Sequence, residues 1–138
     1  MKTVLQIIEE AGGLATFTWT RIENPPFMLL VIESLGERGT AGIIARQLIR
    51  SGTSVGAQYR EACRARSIAE FVSKVESATQ ELEETCYWFE LLADPGLVER
   101  QTLTALACEA DELLAMLVSS SRTAKKRRRG REEDLQAG

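Results

Sequence analysis

The chain has 138 residues, 44% of them hydrophobic and 27% charged, with a formal net charge of −3 and no histidine. That length suits one domain with a core of its own and is too short for several catalytic modules. Without histidine the chain lacks the commonest general base near neutral pH, the usual partner of a Ser or Cys nucleophile and a frequent metal ligand. It reads as non-enzymatic, with no cofactor and no metal.

The charge is unevenly placed. Residues 1–121 hold ten Lys and Arg against seventeen Asp and Glu, a net −7, while residues 122–138 hold seven against three, a net +4. An acidic body therefore carries a basic tail. The longest apolar run, Phe27 to Ile32, is far below the ~20 residues needed to span a bilayer. Lys2 precedes only Val4, Leu5, Ile7 and Ile8 before Glu9 and Glu10, which is not the apolar core of a secretory leader. The expected setting is cytoplasmic, away from membranes. Cys63, Cys86 and Cys108 are widely separated and form no CxxC, which argues against a disulfide framework or a zinc site. They read as small buried apolar residues.

In chain order, residues 1–26 form an N-terminal extension. Thr16-Phe17-Thr18-Trp19-Thr20 alternates like a half-buried strand, and Asn24-Pro25-Pro26 marks a turn, so a short hairpin is one assignment for this irregular region. The segment from Ile22 to Glu33 is also similar to part of an unrelated small uncharacterised domain, which would make the chain a mosaic of two sources. The competing assignment, which we favour, makes Phe27 to Leu35 a short first helix, because the three helices that follow need a fourth face to close their core.

Ile44, Leu48, Ile49, Val55 and Tyr59 predict a helix from about Thr40 to Ala65. Its middle holds Ser51-Gly52-Thr53-Ser54 and Gly56, which are poor helix formers. They either lower its stability or let a neighbouring backbone or a phosphate approach closely. Ser67-Ile68-Ala69-Glu70 is a capping box, so a second helix is predicted to start there. Ile68, Phe71, Val75, Ala78, Leu82, Thr85, Phe89 and Leu92 then recur at spacings of three and four, a bundle seam. Asp94-Pro95-Gly96 breaks it. Leu103, Leu106, Ala110, Leu113 and Leu117 repeat the spacing in a further helix, antiparallel after so short a turn. The tail, 122–138, reads as flexible or disordered, with Lys125, Lys126, Arg127, Arg128 and Arg129 at its centre.

One stretch is more distinctive than periodicity alone. Arg46-Gln47-Leu48, the run from Arg50 to Ala62, Arg64-Ala65-Arg66-Ser67, Ala69-Glu70-Phe71, Lys74, Glu83-Glu84-Thr85, Tyr87-Trp88 and Glu90-Leu91-Leu92 carry a resemblance that resumes from Glu109 to Ala115. On these residues, roughly 27 to 125, the chain resembles the bacterial four-helix-bundle family encoded by intervening sequences in large-subunit ribosomal RNA genes. That family also takes in the accessory proteins of diversity-generating retroelements. The resemblance implies an all-α, up-and-down antiparallel four-helix bundle over residues 27–121 that assembles into homo-oligomeric rings, commonly pentamers, without catalytic activity. The retroelement relatives are basic and bind nucleic acid and a reverse transcriptase, whereas this body is acidic. Gln58 stands where relatives usually carry Asn, and the longer amide would shift any hydrogen bond made there.

Enzymatic alternatives fare poorly. Glu76, Glu83, Glu84, Glu109 and Glu112 would suit a carboxylate-bridged di-metal centre only with Glu-x-x-His pairs, which are absent. Gly52 and Gly56 lack both the Gly-Lys-Ser/Thr ending and the preceding strand of a phosphate loop. What remains is binding. Arg46, Arg50, Arg60, Arg64 and Arg66, with Lys125 to Arg129, are the candidate contacts to RNA or DNA. The leading expectation is a non-enzymatic, oligomeric, nucleic-acid-associated adaptor. The alternative is an inhibitor or antitoxin-like module whose acidic helices cover a basic protein partner.

Overall fold

The computed structural model describes residues 39–93 and 100–138, which form three helices. These are α1 (Gly39–Cys63), α2 (Ile68–Ala93) and α3 (Arg100–Ala137). The N-terminal extension, the first helix expected over Phe27 to Leu35 and the Asp94-Pro95-Gly96 turn lie outside the described residues. Among those described, no helix is long and apolar enough to cross a membrane.

α1 opens on Gly39, whose φ of 67° is costly for any residue with a Cβ. The expected weak middle of α1 is helical throughout. Ser51, Gly52, Val55 and Gly56 are buried there, and the Ser51 hydroxyl meets that of Thr85 on α2 at 2.8 Å. At Ser51, then, the small side chain admits a neighbouring helix. Thr53 and Ser54 turn their hydroxyls back onto the carbonyls of Ile49 and Arg50, which satisfies them within the helix.

α2 begins as its cap predicts, with a shift of one residue in half of the motif. The Ser67 hydroxyl accepts the Glu70 amide N–H at 3.1 Å, but the Glu70 carboxylate accepts from the Arg66 N–H at 2.9 Å, one residue before the cap itself. Val75, Ala78, Leu82, Thr85, Phe89 and Leu92 are buried along one seam, as their alternating spacing requires.

Contacts fix the directions. Arg50 reaches Glu81 and Glu84, whereas Glu61, further along α1, meets Lys74, earlier on α2, so the two helices are antiparallel. Both Ser121 and Lys125 of α3 reach Glu76. α1 and α3 each pack on α2, and among the described residues they make no close backbone contact with each other. The shared core includes Leu48, Val55, Val75, Leu92 and Leu117, each contributing about 1.5–3 kcal/mol through burial.

Two expectations need correction. Residues 122–137 are not a disordered tail, because α3 continues unbroken through them. Their composition explains it. Apart from Gly130 the stretch consists largely of Ala, Lys, Arg, Glu and Gln, all good helix formers. The packed first half has already met the cost of nucleation, and Arg128 pairs with Glu132 one turn on. At 38 residues α3 extends about 57 Å, against about 39 Å for the 26 residues of α2. The cysteines are also less buried than expected: Cys63 and Cys108 are exposed and Cys86 is half-buried, all three as free thiols. Cys63 and Cys86 lie beside their helices' buried seams and Cys108 lies on the face of α3 opposite its own, so none of the three is enclosed.

Candidate nucleic-acid interface

The α1–α2 connection holds two arginines in a tight turn. The amides of Arg64 and Ala65 bond back to the carbonyls of Glu61 and Ala62 at 3.1 and 3.0 Å, which closes α1 and brings Arg66 to the start of α2. The last half of α3 runs antiparallel past this turn. Its heptad positions explain what it presents. Leu103, Ala110, Leu117 and Ala124 are buried at intervals of seven, and the next residue in that register is Arg131. The companion register runs Leu106, Leu113, Ser120 and Arg127. Where the leucines stop, the same face carries hydroxyls and then guanidinium groups.

These residues surround one open pocket of about 640 Å³. Arg66 and Ser67 enter it from the turn, Phe71 from α2, and Thr123, Arg127 and Arg131 from α3. No carboxylate is among its described lining residues. Sequence reasoning singled out Arg66 and Arg127 separately and left out Arg131, Ser67 and Thr123. The seven-residue register of α3 was the signal that could have found Arg131.

The other candidates divide by partner. Arg50 is taken up within the fold: it bonds Glu81 at 3.2 Å and Glu84 more closely still. The Glu84 hydrogen bond raises its pKa, and the same contact lowers that of Glu84. Lys125 is paired with Glu76, whose carboxyl is held below its usual range chiefly by that bond. Arg128 is paired with Glu132 at 3.0 Å. Arg46 and Arg60 are exposed on α1, about 21 Å apart along its axis. Arg64, Lys126 and Arg129 are exposed near the Arg66 end. The arginine cluster of residues 46–66 is thus not one surface; its last members join the α3 basic segment, and Arg50 joins α1 to α2.

The far end of α2 has the opposite character. The half-buried Cys86 thiol is pushed up to about 11 by burial and then by Asp111, Glu90 and Glu83. Tyr59, beside Cys63 near the basic end, is pushed up to about 12, first by burial and then by that thiol. Alkylation with iodoacetamide at pH 8 is expected to modify the exposed Cys108 first and Cys86 last, slower by roughly tenfold or more because so little Cys86 is thiolate. Peptide mass spectrometry reads the order, and early labelling of Cys86 would contradict its acidic, half-buried setting. Gln58 keeps its side-chain oxygen buried with no hydrogen-bond partner among the described residues. The described residues hold no group of three or more Cys, Asp and Glu placed to bind a metal ion.

Comparison with known proteins adds the following. Residues 31–119 match the family described as 23S rRNA-intervening sequence protein. Among solved structures, the chain is similar to a protein of unknown function from the S23 ribosomal protein family of Bacteroides thetaiotaomicron VPI-5482. The two share 32% identity with a TM-score of 0.63, over 78% of this chain and 94% of that one. No curated protein matches the sequence.

Proposed function

This chain belongs to the 23S rRNA-intervening sequence protein family, and we propose that it is a non-enzymatic helical adaptor that associates with nucleic acid as part of a homo-oligomer. The observation that carries this reading is the gathering of Arg64, Arg66, Lys126, Arg127, Arg129 and Arg131 at one end of the α2–α3 pair. Glu83, Glu90 and Asp111 crowd the other end. Such a polarised rod presents its cationic end to phosphates even though the chain as a whole is acidic. In this reading the chain completes a four-helix bundle, whose open corner lies between α1 and α3; among the described residues these two pack on α2 and not on each other. A ring of copies, pentameric or otherwise, would repeat the basic end and gain by multivalency. Light scattering of the purified chain tests the oligomer directly.

Binding of a fluorescein-labelled single-stranded RNA is expected to weaken steeply with salt, its log–log slope falling by about 0.7 for each phosphate neutralised. Arg50→Ala should leave that affinity within about twofold, because Glu81 and Glu84 already neutralise its charge. No binding at low ionic strength would overturn the nucleic-acid reading.

A second reading has its own observation. The acidic surface around Cys86 suits a basic protein partner, which the chain would cover as an inhibitor or antitoxin-like module. A pull-down with and without nuclease separates the two. A partner retained after nuclease favours this reading, and a partner lost favours the adaptor.

A further inference from the structure

The basic residues of α3 fall into two groups that their partners distinguish. Lys125 and Arg128 are paired with Glu76 and Glu132. Arg127 and Arg131 line the pocket, at the ends of the seven-residue rows that begin at Leu106 and Leu103, and among the described residues neither makes an ion pair. A helical stripe that is leucine and alanine for three heptads and then becomes arginine does not continue a core, because a guanidinium cannot be buried unpaired at tolerable cost. It needs an anion or water opposite.

The pocket in front of these arginines has the parts of an anion site. Arg66, Arg127 and Arg131 bring three planar donor forks whose geometry matches phosphate oxygens. The Ser67 oxygen already accepts from the Glu70 amide, which leaves its proton free to donate into the pocket, and Thr123 adds a second hydroxyl. Glu70 itself is turned to the Arg66 backbone and does not line the pocket. Beside this polar rim lie Ile68 and the half-buried ring of Phe71, an apolar wall of the kind that accepts the face of a base. A volume of about 640 Å³ falls within the ~300–1,000 Å³ typical of small-molecule sites.

We propose that this pocket seats one nucleotide unit, with its phosphate on Arg66, Arg127 and Arg131 and its base against Phe71. The inference rests on the nucleic-acid reading above and deepens it. The same chemistry is offered by a strand and by a free nucleotide, so the test carries both, using fluorescein-labelled oligouridylate in anisotropy titrations and AMP in calorimetry on the full chain. The variant R127A/R131A is compared with K126A/R129A, which removes the same charge from the same helical segment, and circular dichroism checks that each stays helical.

R127A/R131A is expected to weaken both probes by about tenfold or more; K126A/R129A should leave AMP binding within about threefold and weaken oligouridylate less than the first pair does, because only Arg127 and Arg131 reach the pocket. Phe71→Leu, which keeps an apolar side chain, should weaken them by at least about fivefold through lost stacking. Equal losses of oligouridylate binding from the two double variants would overturn the pocket while leaving nucleic-acid association standing. AMP binding that needs Arg127 and Arg131, with no oligouridylate binding at all, would support a free-nucleotide site and overturn the adaptor. Indifference of both probes to the pocket arginines overturns the proposal.

Discussion

Leu48→Ala is expected to lower the free energy of unfolding by about 2–5 kcal/mol. Leu48 is wholly buried on the face of α1 that packs on α2, in the same cluster as Val55, Val75 and Leu92. Removing three carbons there, a methine and two methyls, forfeits their transfer energy and leaves a cavity that two long helices, held by seams on either side, close only in part. The adjacent Ile49 is the control. It is 43% exposed on the other face, so Ile49→Ala should cost only a few tenths of a kcal/mol. Urea titrations followed by circular dichroism measure both. A similar loss from the two would mean that α1 is rotated from the orientation described.

Thr85→Val is the second expected large effect, about 1–3 kcal/mol, although the side chains have nearly the same shape. Thr85 Oγ1 lies 2.8 Å from Ser51 Oγ and 2.9 Å from the carbonyl oxygen of Glu81. It has one proton to give, so when Thr85 donates to Glu81 it accepts from Ser51, and both hydroxyls are satisfied where neither meets water. Valine removes that acceptor and leaves the fully buried Ser51 hydroxyl to find another. The double variant S51A/T85V should recover most of the loss, since deleting both partners of a buried hydrogen bond leaves nothing unpaired. Additive losses in the double-mutant cycle would show that the two hydroxyls are not coupled.

Much of α2 was legible in advance. Its start at the Ser67 cap, its seam from Val75 to Leu92 and its end before Asp94 follow from residues within a few positions of one another. The site was only half legible. Arg66 and Arg127 stand out by charge, but nothing local says that residues 61 positions apart line one pocket. Arg50 was misleading for the same reason. Its exposed, arginine-rich neighbourhood points to a ligand, while the carboxylates that engage it are on another helix. The tail was read from charge density, which suggests disorder, when the more telling feature was the register it shares with the leucines before it.

By itself the sequence determined α1, α2 and the first part of α3, the Ser67 cap and the faces these helices bury, together with the family. These depend on backbone propensity and on a repeat of three and four residues, both of which are short-range. Tertiary structure alone decided which charges cancel and which converge. Whether a guanidinium meets a carboxylate or an open pocket depends on the antiparallel offset between helices, which places Arg50 opposite Glu84 and leaves Arg127 and Arg131 facing Arg66 across unfilled space.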